Sequence, residues 1–78
     1  MTREKATDIV AEMVANVMTV SVDVGDEVGV GDQMLMLESM KMEIPVLTEC
    51  AGTVTNIRVT AGDVVQEGDI LITLRNKP

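Results

Sequence analysis

Histidine, phenylalanine, tyrosine and tryptophan are missing from this chain, and cysteine occurs once, at Cys50. Each absence closes a route to structure or chemistry. One cysteine forbids an internal disulfide. Without histidine, Cys50 alone cannot assemble the ligands of a tetrahedral zinc site. Without aromatic rings, the core lacks its largest contributors of buried area. A chain of 78 residues makes one domain and usually needs a staple to hold so small a core. The core must therefore come from Val, Ile, Leu, Met and Ala, tied together by dense backbone pairing. Positive charge is scarce as well: six Lys and Arg stand against thirteen Asp and Glu, for a net charge of -7. That balance argues against nucleic acid as a partner, because phosphates demand a basic surface. It suits encounters with basic partners. No apolar run approaches the length of a membrane span, and the start MTREKATD lacks the apolar segment of a signal peptide. The expectation is a monomer without membrane contact. A free cysteine without a targeting segment fits the reducing cytoplasm.

What is present is a repeat. Adding 37 to a residue number carries Val17 to Val54, Gly25 to Gly62, Asp26 to Asp63, Val28 to Val65, Gly31 to Gly68, Asp32 to Asp69 and Leu37 to Leu74. Conservative matches join Val20 to Ile57, Met34 to Leu71 and Leu35 to Ile72. Two halves thus share the design GDxVxxGD, at Gly25–Asp32 and Gly62–Asp69. Glycine supplies positive φ where a turn needs it, and aspartate accepts hydrogen bonds from nearby backbone N–H groups. Between such turns, Val28 and Val65 read as very short strands. Longer strand-like segments surround them, at about 17–24, 34–39, 42–47, 53–59 and 70–74. Short strands with regular turn signals suggest an all-β sandwich or barrel. Two similar halves suggest two small sheets related by a pseudo-twofold axis. The stretch DIVAEMVANV, Asp8 to Val17, has a helix-like N-cap. Its repeat partner VLTECAGTV is strand and turn, so an edge strand is expected there. Calcium loops alternate ligands closely and end in a bidentate glutamate. GDxVxxGD does neither, so its aspartates read as turn residues and no metal site is expected.

The centre of the chain breaks local rules. MLMLESMKMEIPV, Met34 to Val46, reads as two strands with no glycine, asparagine or aspartate at the reversal. Strands 34–39 and 42–47 leave Met40 and Lys41 as a two-residue turn. Such hairpins favour primed turns, which need φ > 0 at one or both central positions. Met and Lys adopt that region at a cost of about 1–3 kcal/mol. The register sets Glu38 opposite Glu43, a like-charge pair that is mildly destabilising. It sets Leu37 against Ile44 and Leu35 against Val46, all on one inward face by period-two alternation. Pro45 falls opposite Met36, which suits an edge or bulge. Met40 and Met42 flank a reversal whose inward positions are already filled. Coincident violations of this kind tend to mark function.

These residues carry a resemblance. ESMKMEIPV resembles the attachment motif of biotinyl/lipoyl domains, in which the lysine of a Met-Lys-Met triplet carries biotin. Placed midway between two GDxVxxGD elements, the likeness extends over about Ile9 to Leu74. It implies a flattened barrel-sandwich of two four-stranded antiparallel sheets, with the lysine hairpin at one end and both termini at the other. The expected domain is 9–75, with flexible ends at 1–8 and 76–78. By the resemblance, Lys41 takes covalent biotin from a biotin protein ligase that uses biotinyl-adenylate. Met40 and Met42 serve later carboxyl transfer, and Glu38, Ser39 and Glu43 help the ligase recognise its target. The chain would then carry carboxyl groups between biotin carboxylase and carboxyltransferase partners acting in trans.

An exposed alkylamine is protonated at neutral pH, so the ligase must supply the deprotonation. Two departures stand out: Ser39 replaces a common alanine, and AEMVA, Ala11 to Ala15, replaces APMPG. Ala15 in place of glycine is expected to make the first bend less permissive. No thumb-like insertion interrupts Val22 to Asp32, unlike some acetyl-CoA carboxylase carriers. Two alternatives share the fold: a lipoyl carrier, which usually has Asp or Glu before the lysine and Ala after it, and an unmodified lipoyl-like interaction module. Enzymatic activity is not expected, because a Schiff-base lysine needs a desolvated pocket and Lys41 is expected at an exposed tip.

Overall fold

The computed structural model describes residues 5–76 and contains eight strands and no helix among them. They are β1 (Ala6–Val10), β2 (Ala15–Val20), β3 (Glu27–Val28), β4 (Gln33–Ser39), β5 (Met42–Leu47), β6 (Gly52–Ile57), β7 (Val64–Val65) and β8 (Ile70–Asn76). They form two four-stranded antiparallel sheets, ordered β1-β8-β6-β3 and β5-β4-β2-β7. The shift of 37 that relates the two half-sequences turns the first order into the second, strand for strand. Each sheet draws strands from both halves, so neither half can complete a sheet alone.

The four glycine-aspartate turns lock the halves together. At each, the backbone reverses over a glycine with positive φ, 98° at Gly25 and 99° at Gly62 for example. The following aspartate folds its carboxylate back to accept the N–H of the residue three positions earlier. Asp26 takes the N–H of Asp23 at 2.8 Å, and Asp69 that of Gln66 at 2.9 Å. Each turn then trades two backbone hydrogen bonds with one residue of the other sequence half, Val54 in β6 or Val17 in β2 at two of them and Thr48 or Ala11, just past β5 and β1, at the others. Gly25 donates to the Val54 carbonyl at 2.7 Å, and Val54 donates to that of Asp26 at 2.9 Å. Gly62 and Asp63 do the same with Val17, both at 2.8 Å. The aspartates of GDxVxxGD are therefore consumed by turn geometry, as their spacing predicts.

The core is wholly aliphatic, with Val17, Leu37, Val54 and Leu74 at its heart. Met34 and Leu35 are both fully buried although adjacent in β4, as are Leu71 and Ile72 in β8. Simple alternation forbids this. The register skips Met34 against β5 and Leu71 against β1, and such a bulge lets two consecutive side chains point inward. The sequence reading counts Leu35, Leu37, Ile44 and Val46 as inward. Leu35 and Leu37 are buried, Ile44 and Val46 pack half-buried against the core, and Met34 is an addition that alternation cannot foresee. Among the described residues Thr48 is the one buried polar side chain. Its hydroxyl donates to the Cys50 carbonyl at 2.7 Å and accepts the Cys50 N–H at 3.1 Å.

Two expectations are corrected. Asp8–Val17 is not a single edge strand: it is the last part of β1, a bend at 11–14 and the first part of β2. β1 does lie at an edge, but β2 is an inner strand of the other sheet. The chain turns because buried Ala11 is held by Asp69 and Gly68 through backbone bonds of 2.9 and 2.8 Å. The second correction concerns Ala15. It lies in β2 beside Val65, buried, with no positive φ, so it needs no permissive backbone. Its repeat partner Gly52 is the constrained position, because a Cβ there would meet the Arg75 carbonyl oxygen.

β1 begins at Ala6, ahead of the expected start of the domain at Ile9, and β8 runs to Asn76. The remainder of the expected flexible ends, 1–4 and 77–78, lies outside the described residues. The two described ends meet: the N–H of Asn76 donates to the Lys5 carbonyl at 2.7 Å.

Candidate functional site

β4 and β5 pair in the expected register, with Leu35 opposite Val46, Met36 opposite Pro45, Leu37 opposite Ile44, Glu38 opposite Glu43 and Ser39 opposite Met42. Only Met40 and Lys41 remain to reverse the chain. Their φ values are 53° and 65°, and no other described non-glycine residue has positive φ. Two left-handed residues in succession define the type I′ turn, the one whose twist matches the flanking strands. Asparagine-glycine would form it without strain. Methionine and lysine each hold it at about 1–3 kcal/mol, and the ladder of β4 on β5 offsets that.

The turn projects its side chains into solvent. Met40 is 91% exposed and Met42 65%, although methionine ordinarily fills gaps in cores. Lys41 is exposed, Glu43 exposed, and Glu38 and Ser39 half-buried. The tip is thus a cation between two free thioethers, standing on an acidic rung. The structure brings together all six residues singled out in the sequence: Glu38, Ser39, Met40, Lys41, Met42 and Glu43.

The repeat supplies an internal control. The partner of the hairpin is the meeting of the chain ends, because Ser39 corresponds to Asn76 and Met42 to Lys5. The partner of the Glu38–Glu43 rung is Arg75 opposite Ala6. The acid pair is therefore no requirement of this backbone. It belongs to the end that bears Lys41. The bend at 11–14 lies at the same end, a neighbour hidden from the sequence reading while Asp8–Val17 is taken as one strand. Splitting that segment after Val10, as its partner splits after Leu47, would have placed it there.

A family model described as "Biotin-requiring enzyme" matches residues 5–74. The chain belongs to the biotin/lipoyl attachment family. Within that family it is 53% identical over 66 residues to the "Biotinylated protein TB7.3 homolog" of Mycobacterium leprae, spanning 85% of this chain and 93% of that one. It is 42% identical over 65 residues to the "Biotin/lipoyl attachment protein" of Bacillus subtilis, spanning 83% and 89%. Among solved structures it resembles a single-chain, multi-domain long-chain acyl-CoA carboxylase. The TM-score is 0.87 at 28% identity, over 92% of this chain and 7% of that one. The two four-stranded sheets are thus the attachment-domain fold.

The residues at the tip fit a covalently attached group. The amine of Lys41 stands clear of the sheets, and the rigid ladder beneath it fixes where the arm begins.

Proposed function

We propose that this protein is a biotin carrier, loaded on Lys41 by a biotin protein ligase and serving a biotin carboxylase and a carboxyltransferase in trans. One observation carries the reading. The chain holds two residues in a strained type I′ turn and leaves both flanking thioethers in water, all to present one amine. Neither packing nor turn chemistry asks for that arrangement.

When bound, biotin supplies a ureido nitrogen able to carry a carboxyl group, chemistry that this histidine-free chain does not itself offer. The chain's own contribution is placement. Acylation of Lys41 Nζ replaces a mobile cation with a neutral amide and a longer arm. The β4–β5 ladder keeps the base of that arm fixed while its far end sweeps. Once the carrier has docked, each encounter is intramolecular and the effective concentration is high. Met40 and Met42 offer soft apolar surface beside the arm, fitted to a partner's pocket rather than to a core. The acidic surface steers encounters without holding them, which a carrier that must leave each partner requires. On this reading the carrier works as a monomer in the cytoplasm.

Co-expression with a biotin protein ligase, and separately with a lipoate ligase, tests the assignment by intact mass. A single biotinyl increment on the wild type, absent from Lys41→Arg, supports it. A lipoyl increment without a biotinyl one would reassign the cofactor.

A further inference from the structure

A groove of about 390 Å³ runs between the edge strands β1 and β5, within the range of sizes that hold small molecules. Residues 7–13 form one wall and their repeat partners 44–50 the other, with Leu37 added. The repeat makes the two ends of the groove copies of one backbone. A difference between them therefore belongs to the side chains.

Ile9 and Val46, Val10 and Leu47, and Glu12 and Glu49 match in kind. The remaining pairs all diverge in one sense. Ala11, Met13, Ile44 and Pro45 lie toward Lys41, and their twins toward the chain termini are Thr48, Cys50, Thr7 and Asp8. The polar end satisfies itself. Thr7 Oγ1 donates to Asn76 Oδ1 at 2.8 Å, Cys50 Sγ lies 3.9 Å from Thr7 Oγ1, and Thr48 bonds the Cys50 backbone. The lysine end has no such groups. Ile44 is half-buried opposite buried Leu37, and Met13 on the facing wall is 39% exposed.

We propose that this apolar end seats the ring system of biotin carried on Lys41, with Met13, Leu37 and Ile44 against the thioether ring. The inference rests on the biotin reading of Lys41. The tether selects the occupant. Ile44 follows Lys41 by three residues, about 10 Å along an extended strand. The lysyl side chain and the valeryl chain joined to it together exceed that span. The ring thus reaches the groove as an intramolecular ligand, at high effective concentration. Charge acts against other occupants: Asp8, Glu12 and Glu49 line the groove and no Lys or Arg does, so anions are repelled. Biotin held as an amide is neutral, and its ureido N–H groups are donors that the Glu12 carboxylate can accept. The seat is open and shallow, suited to a cofactor that rests between visits to its partners.

Methyl-resolved NMR of the intact carrier, before and after biotinylation, tests the seat. Intact mass first establishes one biotinyl increment. Biotin ring protons then show NOEs to the Met13 and Ile44 methyls, whose signals shift on biotinylation while those of Val30, at the far end, do not. Ile44→Thr and Met13→Ser make the lysine end polar like its twin. Each weakens the ring NOE to the other wall about fourfold, the effect of one lost methylene contact, without loss of the biotinyl increment. Should Ile44→Thr fail to fold, Met13→Ser at the exposed bend carries the comparison. A biotinylated wild type without ring NOEs to either methyl, its shifts confined to 39–43, would overturn the seat and leave the biotin reading intact. Wild-type NOEs in the folded variants would also overturn it. A wild type that takes no biotin would overturn both.

Discussion

At the scale of single residues, the structure sets display against stability. Met40 has φ 53° and is 91% exposed, so it gains almost no burial for the strain it bears. Asparagine adopts this region far more readily. Met40→Asn should therefore raise the free energy of unfolding by about 1 kcal/mol, measured by urea denaturation. A decrease would show that the thioether stabilises the fold, against the view that it is kept for display. Lys41→Arg should leave stability unchanged and abolish biotin attachment, because guanidinium is not an acylable amine at neutral pH. Retained labelling of that variant would move the attachment residue elsewhere.

At the scale of elements, the repeat is the organising fact, and it shows where the sequence was legible. The hairpin register could be read in full, because period-two alternation and a two-residue turn leave one pairing that buries Leu35 and Leu37 together. The glycine-aspartate turns were legible for a similar reason: positive φ and an aspartate acceptor are local properties. The bulges were not. Whether Met34 or Leu71 is the skipped residue depends on how two strands accommodate twist, which no local pattern encodes. The bend at 11–14 was missed because Ala11 is held by backbone bonds from Gly68 and Asp69, far away in the chain.

Gly52 and Ala15 make a matched pair for testing this account. In Gly52→Ala the new Cβ meets the Arg75 carbonyl, and backbone must move. The variant should lose about 2 kcal/mol or more. Ala15→Gly loses only a small buried methyl and gains chain entropy in the unfolded state, about 1 kcal/mol. Chemical denaturation of both should rank them in that order. The reverse order would mean that the close approach at Gly52 is relieved by easy sliding of β6 on β8.

At the scale of the whole molecule, each sheet interleaves strands from both halves, and the glycine-aspartate turns of one half hydrogen-bond to the backbone of the other. A fragment of residues 1–40 should therefore remain unfolded alone, with a disordered amide spectrum by NMR, although it holds one whole repeat. The intact chain should unfold in one transition. An independently folded fragment would contradict the interleaving. The same architecture explains how so small an aliphatic core suffices: β8, β6, β4 and β2 are each paired on both sides, and the short edge strands β3 and β7 are anchored by the glycine-aspartate turns that flank them.

On the proposed reading, the whole scaffold serves to hold one amine in water at a fixed place. Peptide mapping by tandem mass spectrometry, on the protein isolated from its own biotin-replete cells, tests that most directly. Biotin on Lys41, and on no other lysine, is the predicted result. An unmodified Lys41 under those conditions, or the cofactor on another residue, would contradict the account.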